Sequence, residues 1–255
     1  MQPILSSSYL GFGHGSLSRD TDEIGRLMEY LVCHHDAENF ALVGHSTGCQ
    51  NSIHFLKHGE KEMVERVKVC VLQAPVSDRE SLTLSPGDHS AHMMHAKNLA
   101  SQDKGEEMMP RDSFWAPITA SRYISLFDVN GEDDFFSSDF SDEELRSRLG
   151  HVGAVGKNSG LRLLSVFSGK DEYVPSWVDK DVLLQRHLWA MNNLDDNFDK
   201  WQKGCNNENN LIAKGLVLMG ANHNLSKGDG DIDQFVDAVG KLMKSATSNG
   251  VSMGH

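Results

Sequence analysis

The stretch Phe40–Ser52, FALVGHSTGCQNS, decides how the whole chain is read. An apolar run of strand type, Phe40 to Val43, enters Gly44-His45-Ser46-Thr47-Gly48, and the residues that follow suit a helix start. A serine hydroxyl is a poor nucleophile at neutral pH. It needs a base within hydrogen-bond reach and a third group to orient that base. A sharp strand-to-helix turn exposes such a serine and calls for small residues on both sides, here Gly44 and Gly48. The helix expected from about Thr47 to His58 then aims the Thr47 amide, with Gly48 and Cys49 behind it, at a developing oxyanion. The plain alternative is a glycine-tight turn without chemistry, but such a turn does not require strand, serine and helix in that order. His45 is expected to pack or hydrogen-bond within the turn, not to act as the base.

Upstream, Ile24, Leu27, Met28, Leu31 and Val32 repeat at helical spacing, and Asp20 with Glu23 forms a plausible capping box. PILSSSY, residues 3–9, reads as a short strand and GFGHGS as a turn. Downstream, VKVCVLQAP, LRLLSVFSG and GLVLMG read as buried strands without clean alternation. Continuous apolar strands separated by helices imply an α/β fold, a mostly parallel sheet with helices on both faces. The last helix carries Ile232, Phe235, Val236, Val239, Leu242 and Met243, and the tail from Ser245 is expected to fray. The expected organisation is a core from residues 1–76 and 158–245, a long lid insertion at 77–157 and a flexible tail at 246–255. A second break, Asn192 to Asn210, is rich in Asn and Asp and reads as a mobile surface loop.

The partners of Ser46 follow from strand order. Asp171 stands just past LRLLSVFSG, in KDEYVP, and His223 just past GLVLMG, in ANHNLS. Ser, Asp and His in that order, each after a parallel strand, match α/β-hydrolase chain order, and open sheets of this kind place ligands at that edge. Two alternatives stay open: Asp171 as a helix N-cap, and Glu172 as the acid.

Bulk properties exclude other classes. The chain has 255 residues with 39% hydrophobic content, enough for one substantial core, and a formal net charge of −12 argues against nucleic acid and anionic membrane surfaces. Cys33, Cys49, Cys70 and Cys205 form no C-x-x-C pair, so free thiols in a reducing compartment are expected. No run approaches a membrane span and MQPILSSSYL lacks signal-peptide character, so the cytoplasm is the expected location. No cofactor is required; GFGHGS has the wrong spacing for a dinucleotide fingerprint. His89, His92 and His95 would align on a helix, which reads as a solvated lid helix in preference to a metal site. The acid-rich run Asp128 to Glu144 reads as a solvated cover, or as attraction for a cationic substrate. Phe114, Trp115, Phe135 and Phe136 either line a pocket mouth or pack the insertion onto the body.

The motifs LVGHSTGCQ, PITASRYISL, DDFFSSDFSDEEL, SGKDEYVP and GANHNLS together cover nearly the whole chain. They resemble the α/β-hydrolase superfamily, and more closely a plant and fungal branch that includes fungal fusarinine C (siderophore) esterases. The resemblance implies Ser46 as nucleophile, His223 as general base and acid, and Asp171 as orienting carboxylate, acting on a small-molecule ester. Superfamily members usually carry three strands and a helix before the strand that PILSSSY would represent, so the first strands look missing. A shortened product of a longer gene is expected. Either PILSSSY then shifts to pair with FALVG, or the latter exposes unpaired backbone and apolar surface. The second oxyanion donor usually comes from the loop after the third strand, leaving the Thr47 amide, with Gly11, Gly13 and Gly15 as a substitute loop. The expected activity is serine ester hydrolysis. The competing readings are a non-catalytic small-ligand binder on the same fold and an inactive shortened isoform.

Overall fold

The computed structural model describes residues 3–194, 197–203 and 211–248. A 3-10 helix, Tyr9–His14, leads into α1 (Leu17–His35), β1 (Phe40–His45), α2 (Thr47–His58), α3 (Lys61–Arg66) and β2 (Val67–Gln73). Five helices fill the span before the next strand: α4 (Asp78–Leu82), α5 (His89–Ser101), α6 (Ala120–Phe127), α7 (Asp142–Leu149) and α8 (His151–Ser159). Then come β3 (Arg162–Ser168), α9 (Lys180–Met191), α10 (Phe198–Lys203), β4 (Ala213–Leu218) and α11 (Asp231–Ser248).

Among the described residues four strands form one parallel sheet in the order β1-β2-β3-β4. Register explains why the strands lack clean alternation: both faces are covered over most of the sheet. Leu42, Cys70 and Leu163 stand side by side and face the larger core, with Ile53 and Phe55 of α2 and Leu184 and Leu188 of α9. Val43, Val71 and Leu164 stand side by side on the opposite face, where Phe235, Val239 and Leu242 of α11 cover Leu164, Val166 and Leu218. α11 lies against β2, β3 and β4. β1 is an edge strand, and Val43 is 58% exposed on the α11 side.

Residues 3–8 form no strand, so among the described residues the second of the two outcomes expected for the start of the chain holds: β1 has a free edge and a partly open apolar face. Short polar Ser6 and Ser7 bond side chains of α1 instead, Ser6 to Glu23 and Ser7 Oγ to Asp20 Oδ2 at 2.6 Å. That explains a second correction. Asp20 and Glu23 are not a capping box; Ser16 caps α1 by accepting Arg19 N–H at 3.2 Å, and Asp20 is buried one turn inside. The expected surface loop at 192–210 also departs from expectation. Within its described part, α10 buries Phe198 and Trp201 in the core, while Cys205 and the rest of 204–210 lie outside the described residues. α11 runs through Ser248 with no break at Ser245, and residues 249–255 lie outside the described set. Of the six apolar residues expected to face inward on α11, Phe235, Val239 and Leu242 do, with Ala238 beside them; Ile232, Val236 and Met243 are exposed.

One core residue makes stability depend on pH. His187 of α9 is fully buried between the rings of Phe136 and Phe167, 5.6 and 6.0 Å away, and neither ring nitrogen has a partner among the described residues. Burial pushes its pKa down to about 3. The unfolded chain takes up this proton near pH 6.5, whereas the folded chain refuses it until about 3. Stability is therefore full above pH 6.5 and falls as pH drops, by about 2 kcal/mol at pH 5 from this group. His187→Leu should remove that loss, so its urea midpoint relative to the native chain rises between pH 7 and pH 5. An unchanged difference would refute the assignment.

Candidate active site

Ser46 joins β1 to α2 at φ 54° and ψ −125°, a strained conformation for any residue with a side chain. The turn closes so tightly that a Cβ on Gly44 would lie 2.3 Å from the Gly48 carbonyl oxygen. Gly48 is different: a Cβ there would meet nothing within 4 Å, so its smallness is not required by contact. Ser46 donates its backbone N–H to Gln73 O at 3.0 Å, and its side chain makes no capping bond to α2. The helix start leaves the Thr47 N–H without an intrahelical partner. Cys49 N–H is already bonded to Ser46 O at 2.8 Å, which removes it from the expected oxyanion set. The Cys49 thiol is buried against Gly44 O and Gln73 O, and burial pushes its pKa far up, so it is inert packing.

The chain after β3 turns back through Gly169 and Asp171, and the chain after β4 carries His223 to meet it. Gly169 N–H to Leu218 O at 2.7 Å and Lys170 N–H to Ala221 O at 2.9 Å zip the two loops together. Asp171 receives His223 Nδ1 on both carboxylate oxygens, at 3.0 and 2.9 Å, with both side chains buried. A carboxylate only accepts, so Nδ1 carries a proton, and in the neutral ring Nε2 is the nitrogen left to accept one. Glu172 does a separate job: its Oε2 accepts the His223 backbone N–H at 3.0 Å, and that bond, foremost among several causes, holds its carboxyl below the usual range. Asp171 is thus the ring's partner, and neither Glu172 nor a helix cap takes that place. The Tyr173 ring meets His223 edge-on at 4.6 Å, and the His45 ring lies 4.9 Å away on another side.

Ser46 comes to this pair through Gln73, which accepts the serine's N–H and whose Nε2 donates to His223 O at 3.0 Å. Among the described residues Ser46 Oγ itself has no hydrogen-bond partner. Gln73 escaped the sequence reading, although a lone amide closing an apolar strand at the carboxyl edge was its signal. Of the glycines expected as a substitute oxyanion loop, Gly11 and Gly15 already donate their N–H groups to Ser8 O and Phe12 O within their own turn.

Beside the elbow the acid-rich run divides: Asp133 and Asp134 are buried in an ion network, while Glu132, Asp139 and Glu143 stay exposed as a solvated cover would. Asp133 pairs with Arg122 at 2.6 Å, Asp134 with Arg79 at 2.9 Å, and Asp139 with Arg79 at 2.5 Å. Asp78, hydrogen-bonded to Gln50 Nε2 at 2.8 Å, is pushed up to about 7, first by burial and then by Asp133, against the pull of Arg122. Phe135 and Phe136 join the main core, Phe114 stacks on Phe12 at 6.1 Å, and Trp115 stays exposed. His89, His92 and His95 ride on α5; His89 bonds Ser85 O and His92 faces Asp112. Among the described residues no three His, Cys, Asp or Glu side chains converge for a metal, and no helix is long and apolar enough to cross a membrane. A cavity of about 320 Å³ lies at the far end of α2, lined by His54, His58, Lys57 and Glu132, away from this site.

A family profile described as "Protein of unknown function (DUF1749)" matches residues 1–244. The chain is similar to "Esterase AN6793" of Emericella nidulans, 32% identical over 296 residues that cover 94% of this chain and 75% of that protein. It is similar to "Fusarinine C esterase sidJ" of Aspergillus fumigatus, 32% identical over 230 residues, 71% of this chain and 64% of the relative, less than two thirds of its length. Among solved structures, "Siderophore hydrolase EstB" from Aspergillus fumigatus superposes with a TM-score of 0.71 at 28% identity, covering 95% of this chain and 80% of that one. An α/β-hydrolase fold protein of unknown function gives 0.60 at 17% identity, covering 98% and 78%, a likeness of fold alone. The expected superfamily and branch are met, and the fold is that of an α/β hydrolase.

Proposed function

Because the chain belongs to the DUF1749 family and has the α/β-hydrolase fold, we propose that it is a serine ester hydrolase acting on small carboxylic esters through an acyl-enzyme. The observation that carries this reading is the two-oxygen contact of Asp171 with His223 Nδ1, tied through Gln73 to a strained serine. Ser46 Oγ attacks the carbonyl carbon as His223 Nε2 takes its proton. Asp171 holds the ring tautomer and stabilises the imidazolium. The Thr47 N–H receives the oxyanion at the positive end of α2. The imidazolium then protonates the departing alcohol, and water, deprotonated by the same nitrogen, releases the acid. The relatives named for fusarinine C and siderophore hydrolysis favour an ester siderophore as the substrate class.

The test is to trap the intermediate. On p-nitrophenyl acetate the chain should release a burst of nitrophenol approaching one per chain, and acid quenching followed by peptide mass spectrometry should find acetyl on Ser46. Acetyl confined to other side chains, such as the exposed Cys33, would sink the proposal. A cooperatively folded chain that acquires none would favour a small-ligand binder on the same scaffold.

A further inference from the structure

Gln73 is the last residue of β2, opposite His45 in register, and buried. Six residues before it, VKVCVL, are apolar or aliphatic along most of their length, so an amide at this position must have its polar atoms satisfied or it destabilises the sheet. It does. Nε2 donates to His223 O at 3.0 Å and approaches Ser168 Oγ at 3.4 Å, Oε1 meets His45 Nδ1, and the backbone carbonyl holds Ser46 N–H at 3.0 Å.

The network fixes which way the amide faces. His223 O can only accept, so the nitrogen side of Gln73 must point to it, and the oxygen side therefore faces His45. That oxygen in turn can only accept, so His45 must carry its proton on Nδ1. We infer that Gln73 is a positioning residue: its backbone sets the nucleophile, its side-chain nitrogen sets the backbone of the general base, and its side-chain oxygen locks His45 as the Nδ1–H tautomer. This inference rests on the proposed roles of Ser46 and His223. One residue thereby gauges the separation of two groups 177 positions apart in numbering from 46 to 223. Two imidazoles 4.9 Å apart are thus both held with Nδ1 protonated, one by Asp171 and one by Gln73. Burial, with the neighbouring His223 adding to it, also holds the His45 pKa below its ordinary value. A neutral His45 spares the imidazolium formed on His223 during attack from a like charge.

Two variants separate the roles. Gln73→Leu removes both side-chain bonds; Gln73→Glu keeps an acceptor for His45 but loses the donor to His223 O. Both should lower kcat by about 10–100-fold with KM within about threefold, the size expected for displacing a reacting group by roughly 1 Å. Histidine-ring 15N spectra of the full-length chain should show His45 protonated on Nδ1 in the native protein and in Gln73→Glu, and a tautomer mixture in Gln73→Leu. The His223 carbonyl 13C resonance should move in both variants. These spectra do not depend on turnover, so they stand even if Ser46 never acylates, an outcome that would sink the serine mechanism alone. An Nε2–H His45 in the native chain, or variants with native spectra and native kcat, would overturn the inference.

Discussion

Replacing Ser46 with alanine should lower ester turnover by on the order of 10⁴–10⁶, to the level left by binding and the oxyanion amide alone. In the proposed mechanism the effect is this large because nucleophile and base act as one unit: His223 Nε2 would have no hydroxyl to activate once Oγ is gone. Asp171→Asn should cost nearly as much, on the order of 10³–10⁴, for a different reason. An asparagine can turn its NH₂ toward the imidazole, which then protonates Nε2 and can no longer accept the serine proton. Both substitutions leave the fold intact in expectation, since Ser46 Oγ has no hydrogen-bond partner among the described residues and Asn retains the shape of Asp171. The check is steady-state hydrolysis of a nitrophenyl ester beside a urea unfolding curve for each variant. Turnover of Ser46→Ala within tenfold of the native chain would remove the serine from the mechanism.

The second large effect concerns the fold around the elbow. Arg122 of α6 reaches Asp133 at 2.6 Å, donates Nε to Phe12 O at 3.3 Å, and lies 5.4 Å over the Phe12 ring, with both charged side chains almost wholly buried. Its charge also pulls on Asp78 and Asp20, whose carboxyls burial pushes up. Arg122→Met should cost about 3–5 kcal/mol at pH 8, because it strands buried carboxylates without their cation. The cost should shrink at pH 5. A carboxyl whose folded pKa is raised binds its proton more readily in the folded state, so stability falls as pH rises from the unfolded value near 4 toward the raised value, about 7 for Asp78 even with Arg122 present. Adding Asp133→Leu to Arg122→Met should restore more than half of the loss, since an apolar pair needs no solvation. Urea titrations at the two pH values measure this, and a single variant within 1 kcal/mol of the native chain at pH 8 would show that the pair contributes little.

The parts of this site that could be read from sequence are those written in periodicity and order. Phe40–Val43 followed by a glycine-flanked serine announces the elbow, and Asp171 and His223 each stand immediately past an apolar run that becomes a strand. The parts that could not be read are those in which a polar side chain's partner is remote. Nothing local to DDFFSSDF says that Arg79 and Arg122 will neutralise it, 55 and 11 residues away. Nothing in LQAP says that the amide will reach the backbone of residue 223. PILSSSY has strand composition, yet a strand exists only where a neighbour pairs with it, and its serines bond α1 instead. Asp20–Glu23 has the spacing of a capping box, but Ser16 stands one turn earlier and takes the amide first.

The connectivity of the sheet bears on when activity arrives during folding. Every pairing is parallel, and β2 must find β3 across a span that holds five helices. Closing so long a loop loses chain entropy before contacts repay it, so the β2–β3 junction forms slowly compared with the local α1–β1–α2 unit. The turn that carries Ser46 can therefore be shaped early, while Asp171 and His223, its proposed partners, arrive only with the last two strands. In a refolding chain, recovery of hydrolysis would lag behind recovery of helical signal and would report the docking of the C-terminal half.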